Sequence, residues 1–348
     1  MNLKQANNNN VILFRADGGL QIGLGHIYRL IALSQMIDLP HDQLFVFKGE
    51  KHIIEPIIQE RFNNYHCIPD NIKLEEEIAY LANMFPKVAL VCLDGYHFDS
   101  SYQKAWKQVG TFLLSIDDLH KDKFYSDIII NPGNASKASD YSISKTSKLL
   151  LGLDYTILRE EFITSAQSNL EKDNNGKKSC FICFGGSDYY GLTQKFLEFA
   201  NRSQKFSAIH VVIGSAYANK SKLLSDSIIH FYQHLSANEM QQLMMSSTIA
   251  IVPASGICNE AVSVRMGIIT GYYTENQLDI LKGLTDLGAV IDLGRFQDCS
   301  YELFTEKLSY LLDSQNLHNQ HQVQKRLIDG KSPERINTVL KELLNLQK

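Results

Sequence analysis

Residues 11–37 constrain the fold more than any other stretch of the chain. An apolar run ends at Phe14, four glycines lie between Gly18 and Gly25, and a segment with helical apolar spacing starts at His26. A strand, a glycine loop and a helix in this order are typical of parallel α/β sheets. Glycines let a backbone approach a ligand closely, and the N–H groups at a helix start favour anionic groups. We interpret this loop as a binding site.

The same order of elements recurs in the second half of the chain. An apolar run at residues 179–184 leads into Gly185, Gly186 and Ser187, and residues 192–201 have helical spacing. In both halves, short β-like runs alternate with amphipathic stretches, a pattern that predicts parallel sheets covered by helices. The sequence therefore predicts an α/β protein of two Rossmann-like doubly wound domains that face a cleft.

Length and composition suggest where these domains begin and end. The 348 residues are about twice a usual domain length. The polar, aperiodic stretch 167–178 contains Asn-Asn-Gly and is interpreted as a linker. We expect a disordered polar N-terminus at 1–10, a first domain at 11–166, a second domain at 179–332 and a closing C-terminal helix at 333–348.

Composition excludes several classes of partner. The chain is 44% hydrophobic and 21% charged, with a net charge of −4, so it has no basic footprint for nucleic acid. Its six cysteines are scattered, as in proteins of a reducing compartment. The start, MNLKQANNNN, lacks the apolar core of a signal peptide, and no later run is long enough to span a bilayer. We expect a cytoplasmic protein that binds neither nucleic acid nor membrane; its oligomeric state is not readable.

The first glycine loop carries a candidate base. His26 and Arg29 are three residues apart and share a helix face, with Asp17, Gly23 and Gly25 in the loop before them. The positive end of the helix dipole favours a neutral imidazole, which is able to accept a proton. The alternative is that the glycines only tighten a turn and His26 caps the helix.

Polar residues also follow two later strands of the first half. Asp94 and Tyr96 come after the run 88–93 and should emerge at the same sheet edge as His26. A strand-end aspartate can orient a base or bind sugar hydroxyls; the alternative is a loop-capping role. For Asp117 and Asp118 we favour turn and positioning roles over a metal pair, because consecutive residues of an extended chain point apart.

The second half carries a candidate anion site. Gly185, Gly186 and Ser187 could hold a diphosphate through backbone N–H groups and a hydroxyl, although a plain tight turn is the alternative. Farther along the chain, Ser255, Asn259 and Glu260 lie around a helix start, and Asn276 and Gln277 follow the next apolar run. A carboxylate at such a place can accept hydrogen bonds from ribose hydroxyls; the alternative is that it stabilises the first helical turn.

Motifs spread in order over most of the chain resemble the pseudaminic-acid-pathway UDP-sugar hydrolases, which are related to glycosyltransferase-B enzymes. They are RADGGLQIGLGHIYR at 15–29, LDGYHF at 93–98, IDDLH at 116–120, INPGNASKASDY at 130–141, LLGLDYTILREEF at 150–162, CFGGSD at 183–188, NEAVSVRMG at 259–267 and ENQ at 275–277. The resemblance implies hydrolysis of UDP-2,4-diacetamido-2,4,6-trideoxy-β-L-altropyranose to UDP and free sugar, with inversion at the anomeric carbon.

The resemblance also implies roles for the candidate residues. His26 falls on the family's catalytic histidine, the base that activates water. Asp94 is assigned a catalytic role together with it. Asp17, Arg29 and Tyr96 fall on the sugar side, near Gly23 and Gly25. The UDP side, in the second domain, takes Gly185, Gly186, Ser187, Ser255, Asn259, Glu260, Asn276 and Gln277. The scheme requires no metal and no cofactor, and its only expected partner is the UDP-sugar.

One motif departs from the family pattern. Where many relatives have Asp-His-Tyr, this chain has Asp94-Gly95-Tyr96, followed by His97. A related acetamido sugar is therefore an alternative substrate. Two other hypotheses stay open: an inverting UDP-sugar glycosyltransferase of the same fold, and a nucleotide-sugar-binding protein without catalytic activity.

Overall fold

The computed structural model describes residues 11–19, 23–168, 178–186, 188–214, 217 and 223–345. The chain divides into two compact units. Unit 1 consists of Met1–Pro132, Ser136–Ile157 and Ser332–Lys348, and unit 2 consists of Gly133–Ala135 and Leu158–Lys331. The N-terminal segment 1–10, Ser187 and most of the expected linker, residues 169–177, lie outside the described residues.

Unit 1 alternates strands with helices. Its strands are β1 (Val11–Ala16), β2 (Asp42–Phe47), β3 (Tyr65–Cys67), β4 (Val88–Asp94), β5 (Phe112–Ile116), β6 (Lys123–Phe124), β7 (Ile128–Asn131), β8 (Ser142–Ile143) and β9 (Lys148–Leu151). Its helices are α1 (Gly25–Met36), α2 (Lys51–Gln59), α3 (Leu74–Met84), α4 (Ser100–Val109) and, from the end of the chain, α12 (Ser332–Leu343).

The central sheet of unit 1 is parallel and changes direction at its middle. Seven strands pair in the order β3-β2-β1-β4-β5-β7-β9. The chain runs from β1 outward to β3 and then returns to β4 on the other side of β1. Ligands of doubly wound sheets bind beyond the carboxyl ends of the strands at such a reversal. The loops after β1 and β4 therefore lie where a ligand of unit 1 is expected to bind.

Unit 2 repeats this architecture with six strands. Its elements are α5 (Glu160–Gln167), β10 (Ser179–Ile182), α6 (Leu192–Ser203), β11 (Ala208–Val212), β12 (Ile229–Tyr232), α7 (Ala237–Ser246), β13 (Ile249–Pro253), α8 (Gly256–Ser263), β14 (Gly267–Tyr272), α9 (Leu278–Asp286), β15 (Ile291–Arg295), α10 (Tyr301–Leu311) and α11 (Ser314–Leu327). The parallel sheet has the order β12-β11-β10-β13-β14-β15, so its reversal lies between β10 and β13.

Near-continuous apolar strands explain why both sheets are covered on two faces. All residues of β13 are buried, as are all of β1 except its first. Such strands are typical of parallel sheets with helices on both sides. Trp106 on α4 is fully buried in the core of unit 1, and Phe196 on α6 is fully buried in that of unit 2. The prediction of doubly wound parallel sheets is confirmed.

The boundary between the units differs from the predicted one. The chain enters unit 2 at Leu158 rather than at residues 167–178, because α5 packs against α7 and α8. The final helix also differs in extent, since α12 begins at Ser332 and belongs to unit 1. Within the described residues, none of the helices has the length and apolar character needed to cross a membrane.

Candidate functional site

The reversal point of unit 1 brings three predicted residues together. Asp94 ends β4 and is fully buried. Its Oδ1 lies 2.7 Å from His26 Nδ1 and accepts a hydrogen bond of 2.6 Å from Arg29 Nη2, while its Oδ2 accepts one of 2.7 Å from Arg29 Nε. Both partners project from the first turns of α1, where their spacing puts them on one face. Asp94 therefore anchors an imidazole and a guanidinium side by side.

The distances settle which ring nitrogen of His26 faces the carboxylate as a donor. An ionised carboxylate only accepts hydrogen bonds, and Arg29 Nη2 is 3.5 Å from Nδ1, much farther than the 2.7 Å to Asp94. His26 Nδ1 therefore carries a hydrogen atom and donates a hydrogen bond to Asp94. Nε2 is then the nitrogen that can accept a proton from another molecule.

Charge pairing keeps Asp94 ionised although it is buried. Burial alone raises the pKa of the Asp94 carboxyl, but the nearby charge of Arg29 and the contacts with His26 outweigh it and lower the pKa below its usual range. Burial likewise opposes the charge of Arg29, yet Asp94 and Asp118 hold the pKa of the guanidinium above its usual value. The site thus contains a permanently charged pair beside the imidazole.

A second carboxylate joins this cluster through Arg29. Asp118 follows β5, the strand next to β4, and its Oδ2 accepts hydrogen bonds from Arg29 Nη1 at 3.0 Å and from the Tyr96 hydroxyl at 3.3 Å. The Tyr96 ring packs edge-on against His26 with 4.9 Å between ring centres. Burial and the charge of Asp118 raise the pKa of Tyr96, which therefore keeps its proton. Tyr96 links the second carboxylate to the imidazole.

The Asp17 carboxylate is hydrogen-bonded to other groups of the protein at the end of β1. Its oxygens accept hydrogen bonds from the buried Arg15, from the backbone N–H of Lys48 at 2.7 Å and from Nε2 of His97 at 2.9 Å. Burial raises its pKa, but Arg15 and His97 lower it well below the usual range. The structure places Asp17 at the predicted edge, where the more exposed side chain is that of His97.

The two glycines of the first loop lie on either side of the turn into α1. Gly23 exchanges two backbone hydrogen bonds with Gly19, at 2.8 and 3.0 Å, and Gly25 is the exposed first residue of α1. This pairing closes the loop immediately before His26. Residues 20–22 lie outside the described part of the chain.

The reversal point of unit 2 carries the second glycine turn. Gly185 and Gly186 follow β10, and Gly185 has a φ of +84°, a conformation that favours glycine. Asp188 then caps α6, since its two oxygens accept hydrogen bonds from the N–H groups of Leu192 and Thr193 at 2.8 and 2.7 Å. The chain therefore turns sharply from strand to helix here.

A neighbouring loop packs directly on this turn. A Cβ atom built on Gly214, after β11, lies 2.1 Å from the carbonyl oxygen of Gly186. No side chain fits in that space, so glycine at 214 lets the two loops after adjacent strands touch. Their contact fixes the position of the glycine turn at the sheet edge.

Glu260 on α8 is engaged by an arginine that was not predicted. Arg159, which precedes α5, donates to both Glu260 oxygens, from Nε at 2.7 Å and from Nη2 at 2.8 Å. The carboxylate keeps further lone pairs for other donors, because each oxygen can accept two hydrogen bonds. The fork of Arg159 thus fixes the plane of the carboxylate.

The remaining predicted residues of unit 2 differ in their surroundings. Ser255 precedes the first residue of α8 and is partly exposed. Asn259 is 2% exposed, and its Oδ1 has no hydrogen-bond partner among the described residues. Asn276 is partly exposed, whereas Gln277 is buried and accepts a 2.9 Å hydrogen bond from the backbone N–H of Tyr273. Gln277 therefore shapes the loop after β14.

Sequence reasoning missed several contacts of these sites. Asp118 was assigned to turn and positioning roles together with Asp117, and His97 was noted only as a departure from a pattern. Arg159 lies within the motif LLGLDYTILREEF, which is the signal that could have pointed to it. The described side chains include no group of three or more His, Cys, Asp or Glu that could hold a metal ion.

Comparisons with known proteins agree with the resemblance. No family model matches the chain. It is 29% identical over 276 residues to the UDP-2,4-diacetamido-2,4,6-trideoxy-β-L-altropyranose hydrolase of Campylobacter jejuni, covering 76% of this chain and 93% of that protein. It is 24% identical to the spore coat polysaccharide biosynthesis protein SpsG of Bacillus subtilis, covering 94% and 97%. The match to the hydrolase confirms the resemblance that the ordered motifs indicated.

Solved structures agree on the fold. The spinosyn rhamnosyltransferase SpnG complexed with thymidine diphosphate has a TM-score of 0.67 at 11% identity, covering 95% of this chain and 100% of that chain. At this identity the likeness concerns the fold alone. The fold is therefore of the glycosyltransferase-B type, as predicted.

Proposed function

We propose that this relative of the UDP-sugar hydrolases hydrolyses a UDP-linked diacetamido-trideoxy sugar to UDP and free sugar, with inversion at C1, in pseudaminic-acid-type nonulosonate biosynthesis. The observation that carries the proposal is the His26–Asp94 pair. The Nδ1 of His26 is hydrogen-bonded to the buried carboxylate of Asp94, and this leaves the Nε2 of His26 to act as a base. The similarity to the Campylobacter hydrolase supports the choice of substrate.

The proposed reaction is a single displacement by water. A water molecule gives a proton to His26 Nε2 as its oxygen bonds to C1 of the sugar. The C1–O bond to the diphosphate breaks, and its electron pair leaves with UDP. A single displacement of this kind inverts the configuration at C1. Asp94, which Arg29 holds in place, keeps the imidazole in position throughout and stabilises the imidazolium that forms.

Unit 2 is the proposed binding unit for UDP. The glycine turn at Gly185 and Gly186 offers backbone N–H groups to the diphosphate, and Ser187, the next residue in the sequence, is proposed to contribute its hydroxyl. Glu260, oriented by Arg159, accepts the ribose hydroxyls. Ser255, Asn259, Asn276 and Gln277 complete the proposed UDP side. Asn259 supports this assignment, because its buried Oδ1 is an acceptor that a ligand donor can satisfy.

Turnover with isotope-labelled water tests the proposal. We expect NMR to show UDP release from the UDP-linked diacetamido sugar, inverted configuration in the first product formed, and ¹⁸O from water in the sugar but not in UDP. The variant His26→Ala should lose about 10²–10⁴-fold in kcat. The exposed His318 provides a matched control, since His318→Ala should keep full activity. Label in the UDP phosphate, or unchanged turnover in His26→Ala, contradicts the mechanism.

A second candidate function is an inverting UDP-sugar glycosyltransferase, because enzymes that transfer sugars share this fold, although the likeness to the rhamnosyltransferase concerns the fold alone. In that reaction a hydroxyl of a carbohydrate acceptor takes the place of water. Negligible UDP release until an acceptor is added would support the transferase. Tight UDP-sugar binding with no product after long incubation would instead support a binding protein without catalytic activity.

A further inference from the structure

Asp118 has one buried carboxylate oxygen that the protein leaves without a partner. The side chain is 7% exposed, and its Oδ2 accepts hydrogen bonds from Arg29 and Tyr96. Its Oδ1 is buried, and no residue in the described part of the chain donates to it. Buried polar atoms are nearly always hydrogen-bonded, so an exception at the edge where ligands of doubly wound sheets bind points to a contact made in another state.

The neighbouring aspartate shows the contrast. Both oxygens of Asp117 are engaged, one by the N–H of Leu119 and the other by the N–H of His120 and the hydroxyl of Tyr141. Asp117 therefore holds the turn after β5. The turn is complete without any contribution from Asp118 Oδ1.

The position of Asp118 connects it to the His26–Asp94 pair. Arg29 donates to both Asp94 and Asp118, and Tyr96 contacts both Asp118 and the ring of His26. The unpartnered oxygen thus belongs to a group of connected side chains that also contacts the proposed base. A ligand atom bonded to it is held at a defined place relative to His26 Nε2.

We propose that Asp118 Oδ1 accepts a hydrogen bond from the sugar, from a hydroxyl or an acetamido N–H, and that this contact sets C1 beside His26. The inference rests on the proposed function, which supplies a sugar with both kinds of donor. It makes Asp118 a specificity-determining residue of the sugar site.

The chemistry of the surroundings selects a neutral donor. A phosphate or carboxylate ligand is repelled by the carboxylate. A divalent cation needs several oxygen ligands, and here the guanidinium of Arg29 lies between Asp94 and Asp118 and repels it. A hydroxyl or amide N–H meets neither obstacle. Because Oδ1 is buried, the proposal requires a side chain to shift when the sugar binds, and we assign this shift to Tyr96, which is half-exposed and bonds Asp118 Oδ2 at 3.3 Å.

The variant Asp118→Asn isolates this oxygen. The amide has the same shape, and its carbonyl can keep the bonds from Arg29 and Tyr96, but its NH₂ group replaces the acceptor and opposes a sugar donor. We expect a rise in KM of about 5- to 100-fold with little change in the unfolding temperature. Asp117→Asn is the matched control, because it loses turn contacts: its unfolding temperature should fall while KM stays near the wild-type value.

Binding of the free sugar separates this inference from the proposed function. Calorimetric titration of the free diacetamido-trideoxy sugar into protein saturated with UDP requires no turnover. We expect Asp118→Asn to weaken sugar binding about 5- to 100-fold relative to wild type, even if wild type proves unable to hydrolyse the UDP-sugar. Equal sugar affinity in the two proteins, or no sugar binding by wild type, overturns the role of Asp118.

Sugar analogues identify the donor. For an analogue that lacks the donating hydroxyl or acetamido group, wild type and Asp118→Asn should bind with similar affinity, because the contact no longer exists. A constant ratio of affinities across all such analogues overturns the direct contact and indicates a buried water molecule as the donor to Asp118.

Discussion

At the scale of single residues, the hydrogen bonds of Asp94 determine what His26 can do. The variant Asp94→Asn keeps the shape of the side chain but removes the charge that holds Arg29 and stabilises an imidazolium. We expect kcat to fall about 10²–10⁴-fold while KM changes little, as steady-state kinetics would show. The exposed Asp298 offers the control Asp298→Asn, which should match wild type.

The lowered pKa of Asp94 also predicts how the free energy of unfolding changes at acidic pH. A carboxyl whose pKa is lower in the folded than in the unfolded protein stabilises the fold above its unfolded pKa, near 3.9, and this contribution is lost as the pH falls through the folded pKa. Wild type should therefore be more stable than Asp94→Asn at pH 7. The difference in free energy of unfolding, measured by urea titration, should shrink below about pH 4. A constant difference down to pH 2 contradicts this linkage.

Residue types and spacing were enough to predict His26, Arg29 and Asp94 as one group, since strand ends of a parallel sheet meet at one edge. The sequence could not show which of the two consecutive aspartates turns toward Arg29. It also could not show that the oxygens of Asp17 accept hydrogen bonds from Arg15, Lys48 and His97. Those outcomes depend on side-chain packing across the sheet.

At the scale of elements, the contact between the loops after β10 and β11 supports the glycine turn. Gly214→Ala places a methyl group against the Gly186 carbonyl, so the turn must shift. We expect UDP affinity, measured by calorimetry, to fall about tenfold or more. Gly110→Asn is the control, because Gly110 ends α4 with open space around its Cβ position. Unchanged UDP affinity in Gly214→Ala would show that the turn does not bind the diphosphate.

The ion pair between the segment before α5 and α8 yields a separate prediction. Arg159→Met leaves Glu260 without its fork of donors, so we expect weaker UDP binding and a smaller preference for UDP over 2′-deoxy-UDP. Arg159→Lys should restore charge but not the bidentate geometry, and thus recover only part of the affinity. The exposed Arg202 provides the control Arg202→Met. An unchanged preference for the ribose would show that Glu260 does not bind it.

Periodicity predicted long elements well and short or irregular ones poorly. The apolar run predicted at 179–184 contains β10, and the helical stretch predicted at 192–201 lies within α6. The three-residue β3 was missed because Tyr65–Cys67 is too short for a pattern, and α5 was missed because it follows a stretch without clear spacing. Pairing with β2 and packing on α8 form these elements.

At the scale of the whole molecule, α12 completes unit 1. Ile336 and Leu340 are fully buried, and Asn337 bonds the end of α1 through the carbonyl of Met36 and the N–H of Asp38. Asn337→Ala should destabilise unit 1 by about 1–3 kcal/mol. Hydrogen exchange should show faster exchange in α1 with unchanged protection in unit 2. Asn319→Ala, at an exposed position of α11, is the control. Equal loss of protection in both units contradicts this division.

Composition misplaced the boundary between the units for a physical reason. Chain breaks are sought in polar, glycine-rich stretches, and residues 167–178 fit that description. The chain in fact enters unit 2 at Leu158, where Ile157 and Leu158 are both buried. Because both residues are apolar, the composition gives no sign that the chain passes from unit 1 to unit 2 at this point.

The return of α12 to unit 1 has a consequence for synthesis on the ribosome. Translation delivers all of unit 2 before the residues of α12 emerge, so unit 2 can fold first although its segment begins later in the gene. Until then the residues that bury Ile336 and Leu340 lack this covering, and Met36 and Asp38, at and just after the end of α1, lack their bonds to Asn337. The proposed base is carried by that same α1, and so a helix that is translated after the whole of unit 2 completes its support.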